Sequence, residues 1–394
     1  MSGAYAQGDE ALLYFSNASG PYQLHRLLDG TDELLVDDPA HNYWWAFTNP
    51  ARTKFLAYRS DTAATPDQGA YNAAELMLFN IDGSGAQLLI DTATYHWAAH
   101  GVGKFSPDGG KILMAAEPVA NGPWYGYVTD SLGQDPRQIS DRFMLDPAWS
   151  PDGSKVVFCA FPGNLPSFDL TQLELHIGDF DPVLDTLTNI VQITSGTGRV
   201  HDPCFSHAGD RIVFSDGNLL YTQADIRMVD ADGGNPTTVF TDGGANGGSM
   251  CWSADDQYIW FHNLTYLVHP FQVRKVDVAT GTMTVVLQSI DHDCIGPHLY
   301  VPLNTAIADR IAGAAALQFI PNPLTDRATV HVPITLHNVS LTVTDALGRT
   351  VLQRTGISGR TFTLERNDLP AGLYHALIRA DDRMAYSGRF MVAE

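Results

Sequence analysis

Between residues 11 and 300 the chain alternates short apolar, β-branched or aromatic runs with polar turns built on Asp, Asn, Gly and Pro. Such spacing predicts strands joined by hairpins. Five times the same phrase returns: an aromatic–hydroxyl pair, a polar turn, then an apolar run. Phe47-Thr48 leads to Phe55-Leu56-Ala57-Tyr58, and Phe105-Ser106-Pro107-Asp108-Gly109 leads to Ile112-Leu113-Met114. Trp149-Ser150-Pro151-Asp152-Gly153 leads to Val156-Val157-Phe158, Phe205-Ser206 to Ile212-Val213-Phe214, and Trp252-Ser253 to Tyr258-Ile259-Trp260-Phe261. The aromatics are spaced by 58, 44, 56 and 47 residues, the period of a four-stranded propeller blade. In the Ser-Pro-Asp-Gly turn proline presets φ, aspartate bonds back to the backbone, and glycine takes the φ > 0 position.

Each repeat reads as four strands, a to d. The fourth blade is expected at Asp146–Trp149, Val156–Ala160, Leu173–Ile177 and Ile190–Thr194. The fifth has strand c at Ile226–Val229 and strand d at Thr237–Phe240; the sixth has Val273–Val278 and Met283–Leu287. In the second and sixth blades Asn49-Pro50-Ala51 and Ala254-Asp255-Asp256 stand where Pro-Asp-Gly is expected. The first blade is split: Ala11–Phe15, Tyr22–Leu28 and Glu33–Val36 supply three strands, and Cys294–Val301 supplies the fourth. Closing a ring in this way removes exposed sheet edges. The expected architecture is all-β, six blades over residues 10–303, followed by a linker at 304–317 and a small β-sandwich at 318–394.

The blade motif resembles that of TolB-like (WD40-like) propellers, and Val229-Asp230-Ala231-Asp232-Gly233-Gly234 matches a later turn of that family. The resemblance implies a fold and no one activity. The last segment carries Pro321-Asn322-Pro323 after Ile320, then Asp345 with Gly348-Arg349. Leu369-Pro370-Ala371-Gly372-Leu373-Tyr374 and Arg389-Phe390-Met391-Val392 follow. Together these resemble the type A C-terminal sorting domain of type IX secretion, found in Bacteroidetes-type bacteria; Arg389 stands where that family often has Lys. The resemblance implies passage across the outer membrane by a dedicated translocon, then release or attachment at the cell surface. Ala4-Tyr5-Ala6-Gln7, within residues 1–9, reads like the end of a trimmed export signal.

Charge narrows the partners. The 394 residues carry a net charge of -21. From Gln318 onward eight Arg face seven Asp or Glu, so residues 1–317 hold -22. So acidic a body argues against nucleic acid, whose phosphates need Lys and Arg. No run approaches the roughly 20 apolar residues of a membrane helix. Cys159, Cys204, Cys251 and Cys294 fit no zinc or haem pattern, and read as buried small hydrophobes. A disulfide between Cys204 and Cys251, at equivalent places in adjacent blades, is the alternative.

Strand order locates the site. The hairpin turns and c–d turns fall on one face, and the d–a connections and b–c loops on the other. The b–c loops are long: Arg59–Ala74, Glu117–Trp124, Pro162–Gln172, Asp216–Ala224 and His262–Pro270. The d–a side gathers His41, Trp44, Trp45, His96, Trp97, His100, Asp146, His201, Asp202 and His292. Trp44, Trp45, Trp97, Trp124 and Tyr125 are candidates to stack on sugar rings, with Asp146 and Asp202 bonding hydroxyls. His41, His96, His100, His201 and His292 are candidate ligands of a divalent metal, though no His-x-His or His-Glu-x-x-His spacing is present. Asp179, Asp181 and Asp185 are a weaker calcium candidate, lacking the glycine and glutamate of an EF-hand. No nucleophile elbow, phosphate loop or dinucleotide motif occurs.

The expectation is a secreted or surface-attached, non-enzymatic propeller without a cofactor, binding a partner protein or glycan through this decorated face. Its second partner would be the type IX machinery, through residues 318–394. The alternatives are a metal-assisted polysaccharide lyase using the channel-mouth histidines, and a surface-layer or adhesion component.

Overall fold

The computed structural model describes residues 10–62, 74–91, 93–163, 172–218, 222–263, 270–302, 317–345, 350–367, 369–380 and 383–393. The residue 1–9 segment, the linker, Gly348-Arg349 and much of four b–c loops therefore lie outside the described residues. The chain divides into two compact units, Met1–Pro302 and Leu303–Glu394. Every regular element described is a strand.

The first unit opens with β1 (Ala11–Ser16), β2 (Gln23–Leu28) and β3 (Thr31–Leu34). The second blade is β4 (His41–Thr48), β5 (Lys54–Asp61), β6 (Glu75–Asn80) and β7 (Gln87–Ile90). The third has a broken inner strand, β8 (Ala99–His100) and β9 (Lys104–Phe105), then β10 (Lys111–Glu117), β11 (Tyr125–Asp130) and β12 (Arg137–Phe143). The fourth is β13 (Leu145–Trp149), β14 (Lys155–Ala160), β15 (Glu174–Asp181) and β16 (Thr186–Gln192). The fifth is β17 (Arg199–Phe205), β18 (Arg211–Gly217), β19 (Ala224–Asp230) and β20 (Thr237–Phe240). The sixth is β21 (Gly248–Trp252), β22 (Tyr258–His262), β23 (Val273–Asp277) and β24 (Met283–Leu287). Finally β25 (Cys294–Tyr300) pairs antiparallel with β1, Leu12 opposite Leu299, and completes the first blade. Each propeller sheet is an antiparallel meander, and the inner strands touch from blade to blade in a closed circuit, with β10 meeting β13 on the far side of the third blade. This is the six-bladed ring that the repeats imply.

Buried apolar side chains fill the wedges between blades: Leu13, Phe15, Phe55 and Phe79 between the first and second, Val157, Leu175, Ile212 and Phe214 between the fourth and fifth. Strands with clean apolar patterning fall where expected. Strand d of the fourth blade begins earlier, at Thr186, and β3 starts at Thr31. Both are outer strands with exposed residues, so burial gives them no sharp sequence period.

The hairpins correct one alignment. In four of them the serine N–H donates to the carbonyl five residues on, and its Oγ accepts the N–H returned from there: Ser106–Lys111, Ser150–Lys155, Ser206–Arg211 and Ser253–Tyr258. In the second blade the same two bonds are made by Asn49 with Lys54, its Oδ1 replacing the hydroxyl. Thr48-Asn49, and not Phe47-Thr48, is therefore the equivalent pair. Pro50 holds the proline place, and Arg52, with φ 55°, holds the glycine place.

Successive turns also interlock. A Cβ on Gly109, Gly153 or Gly209 would meet Pro50, Pro107 or Pro151 of the preceding blade. Where the fifth blade has His207 for proline and the sixth has Asp256 for glycine, the Asp256 carboxylate pairs with the His207 ring at 2.8 Å. It also accepts the N–H groups of His207 and Ala208. At the next join Glu10 accepts the N–H of Ala254 at 2.7 Å. Gly153 sits at φ 73°, and a Cβ added there would stand 3.4 Å from the Pro107 ring. Replacing it with Ala is expected to destabilise the propeller by about 1–2 kcal/mol, measurable as a lower denaturant midpoint with unchanged slope.

In the second unit β26 (Gln318–Ile320), β27 (Arg327–Asp345), β28 (Thr350–Glu365), β29 (Gly372–Ala380) and β30 (Arg383–Val392) form a small β-sandwich. The first part of β27 pairs with β26 and the end of β28, its last part with the start of β28 and with β29. Register slips between His331 and Leu341 let this one strand serve both layers. Val330, Leu341, Ile378 and Phe390 lie in the common core. Gly388 allows the close approach of the first strand, since a Cβ there would fall 2.7 Å from Phe319.

Candidate functional site

The inner strands share a defect. Each slips register at the same place: Trp44/Phe47, Leu145/Ala148, His201/Cys204, Gly248/Cys251, and opposite Leu13/Phe15 in the first blade. The bulge residue is left-handed in all five: Trp45 (φ 52°), Asp146 (48°), Asp202 (48°), Ser249 (50°) and Gly296 (62°). In the third blade Val102 takes the equivalent place, between β8 and β9. Only the last of the five is a glycine, and a non-glycine residue at φ > 0 costs energy that a functional or packing role must offset. Bulges turn side chains out of the regular alternation.

Three of these residues are linked by hydrogen bonds that run from blade to blade. Asp146 Oδ2 accepts the N–H of Asp202 at 3.4 Å, and Asp202 Oδ2 accepts the N–H of Ser249 at 3.1 Å. Asp202 keeps some exposed surface yet is enclosed by protein. Burial, and then the negative charge of Asp146, push its carboxyl up to about 7. The Ser249 N–H and the Lys104 ammonium oppose that shift.

Two residues further along each strand lie Phe47, Lys104, Ala148, Cys204, Cys251 and His298. Lys104 Nζ stands 5.2 Å from the centre of the Phe47 ring, and His298 meets the same ring edge-on at 5.4 Å. His298 Nε2 accepts the Thr48 N–H at 3.2 Å. Burial depresses the His298 ring to about 4, and Lys104 adds to the shift. All four cysteines are free thiols, and burial raises each of them.

The candidates read from sequence separate into three groups. Asp146 and Asp202 come together, with Trp45 on the equivalent turn of the second blade. Trp45 stacks on His262, ring centres 5.6 Å apart. Trp44 and Trp97 are instead core residues: Trp44 packs on Tyr58 and Ala74, Trp97 on Tyr127 at 4.8 Å. Trp124 and Tyr125 stand, half-buried, at the start of β11.

The histidines do not converge. His41 Nδ1 pairs with Asp38 at 2.8 Å, and His292 with Asp291 at 2.8 Å. His96 is exposed on a left-handed turn; His100 is buried beside Tyr58, its Nδ1 directed to the Gly101 carbonyl. His201 is buried in its blade, and burial lowers its ring to about 4. Among the described residues no three His, Cys, Asp or Glu are arranged to hold a metal ion. Asp179 is taken by Lys155 and Asn189, Asp181 accepts turn N–H groups, and Asp185 pairs with Lys111 at 2.6 Å. The calcium expectation thus has its three carboxylates tied up in a c–d turn.

Ser249, Lys104, His298 and His262 were not singled out from the sequence. Counting three and one residues back from the hairpin aromatics Trp252 and Phe105 finds the first two; His298 precedes Leu299 at the ring closure, where no hairpin aromatic marks it. His262 ends strand b and carries no such mark.

In the second unit the sequence motifs meet in space. Phe390 stacks on Phe319 at 4.9 Å and on Tyr374 at 5.6 Å, and Tyr374 pairs across the sheet with Asp345. Asn322 Oδ1 accepts the N–H of Met391 at 2.8 Å, while Leu324 exchanges backbone bonds with Met391 and Ala393. Residues 318–393 match the family described as secretion system C-terminal sorting domain. The chain ends in a type IX sorting domain. The sorting domain implies secretion or a cell-surface location, and interaction with the type IX machinery. No described helix is long and apolar enough to cross a membrane.

The propeller has likenesses in solved structures. TolB from Acinetobacter baumannii superposes with a TM-score of 0.58 at 14% identity, over 76% of this chain and 69% of that one. The structure of a nidogen/laminin complex gives 0.55 at 10%, over 75% and 100%. A putative TolB from Agrobacterium tumefaciens gives 0.51 at 15%, over 76% and 100%. These likenesses show the TolB-like propeller fold alone. A search of curated protein sequences finds no match.

Proposed function

We propose that the exported propeller binds a partner protein or a glycan through the face bearing its d–a connections and b–c loops, with the bulge residues of the inner strands at the centre. The observation that supports this most is the recurrence of non-glycine, left-handed residues at one position in four blades: Trp45, Asp146, Asp202 and Ser249. The opposite face consists of tight, internally bonded turns that lock onto one another and leave little for a ligand to engage. At the centre an indole, two carboxylates and a hydroxyl offer stacking and hydrogen-bond acceptors, the means by which sugars and basic or hydroxyl-bearing side chains are held.

Charge restricts the ligand class. A body carrying -22 over residues 1–317 repels polyanions. The ligand is therefore neutral or cationic, and a polyuronate is disfavoured. That choice, with the dispersed histidines, leaves the lyase alternative without support among the described residues.

The test is a binding panel of neutral, basic and acidic glycans and of cell-surface proteins, run on the full chain. Capture of a neutral or basic ligand is expected. Trp45→Ala should then weaken it by about tenfold, the loss of roughly 1.4 kcal/mol. Failure of every neutral and basic ligand, or selective capture of uronates, would contradict the reading.

A further inference from the structure

Folding sorts the residues of the four sorting motifs into two sets. Tyr374, Phe390, Val392 and Leu324 are buried and hold the sandwich together. Ile320 (57% exposed), Leu373 (39%) and Met391 (44%) are apolar yet open to solvent. Leu373 and Met391 are direct cross-strand partners, as are His375 and Arg389 beside them. The Asn322 bond to Met391 fastens the segment after Ile320 to the same place. Leu373, His375, Arg389 and Met391 thus lie together on the outward face of the β29–β30 pair, the side away from the Phe390–Phe319 stack. A receptor for the folded domain can read only that outward set; the buried set cannot be touched.

The patch has a backbone component as well. The strand β30 is the last of its sheet, and among the described residues its edge is bonded at its end, where Asn322 and Leu324 meet Met391 and Ala393. Arg389 has no carboxylate partner among the described residues, and it adjoins the apolar pair. We propose that the secretion machinery recognises the folded sorting domain through Leu373, Arg389 and Met391. The occupant is an extended apolar segment of that machinery, laid along the open edge of β30 with a carboxylate facing Arg389. Strand addition of this kind draws affinity from main-chain bonds and selectivity from the flanking side chains. The net charge of +1 over residues 318–394 suits an acidic partner, unlike the -22 of the rest.

The experiment follows export of the full chain in a bacterium with a type IX system, comparing protein outside the cell with protein retained. Leu373→Asp and Met391→Asp should each lower export about tenfold, and Arg389→Glu should lower it similarly, the effect of losing a central contact. Val351→Asp, at an equally open apolar residue on β28 outside the motifs, should leave export unchanged. The melting of each purified full-length variant is measured alongside; where an aspartate variant does not fold, Leu373→Gln and Met391→Gln replace it. Patch variants that melt like the parent and export normally would overturn the proposal. Phe390→Asp, which breaks the core, keeps two failures apart: normal export of that variant would refute the sorting role itself.

Discussion

Asp202→Asn is expected to stabilise the propeller at pH 8 by about 2–4 kcal/mol and to have little effect at pH 4. The sign follows from linkage. The folded-state pKa of Asp202 is raised, to about 7, above the 3.8 of an ordinary aspartate. The folded state thus holds a proton that the unfolded state releases. Stability from this group is fully present below about pH 4 and is lost as pH rises through about 7. The asparagine amide Oδ1 still accepts the Ser249 N–H, so the bond between the fifth and sixth blades survives without the buried charge.

Among the described residues of the propeller, five imidazoles depressed by burial act in the opposite sense, including His100 and His176. His201, His262 and His298 are depressed to about 4, about 3 and about 4, by burial in each case. Each adds stability as pH rises from its folded value to about 6.5. The parent curve alone therefore mixes the two signs. Denaturant unfolding of parent and variant at pH 4.5, 6 and 8 isolates Asp202 in the difference. A difference that does not change with pH would refute a buried Asp202 carboxyl raised by its surroundings and by the charge of Asp146.

Phe390→Ala is expected to cost the sorting domain about 3–5 kcal/mol, the usual penalty for emptying an aromatic site in a core. Phe390 is 1% exposed between Phe319 and Tyr374, and the unit is small, so few other contacts can absorb the loss. At roughly 4–8 °C per kcal/mol for a domain of this size, its melting transition should fall by more than 12 °C. The propeller cores contain none of these rings and should melt as before. A shift of only a few degrees would mean that the aromatic stack is peripheral to the sandwich.

The blade count, the ring closure by Cys294–Tyr300 and the sorting domain were legible because each rests on turn chemistry or on several motifs together. The candidate site was legible only in part. Asp146 and Asp202 stood out as acids at a channel mouth. Ser249 and Gly296 did not, because a left-handed bulge is a backbone event that serine and glycine do not announce. The mispairing at Phe47-Thr48 has a related cause. Thr48 stands where the third to sixth blades carry an aromatic, and Asn49 does by amide what serine does by hydroxyl, so residue type misled where hydrogen bonding decides. Trp44 and Trp97 looked like sugar platforms, but an aromatic composition does not say which rings face the core: Trp44 is committed to Tyr58 and Ala74, and Trp97 to Tyr127.

Deuterium exchange of the full chain, alone and with its captured ligand, tests the binding face most directly. Protection should appear at residues 43–48, 144–148, 200–204 and 247–251, with the hairpins at 49–54, 150–155 and 253–258 unchanged. Protection centred on those hairpins, with the inner strands untouched, would contradict the account.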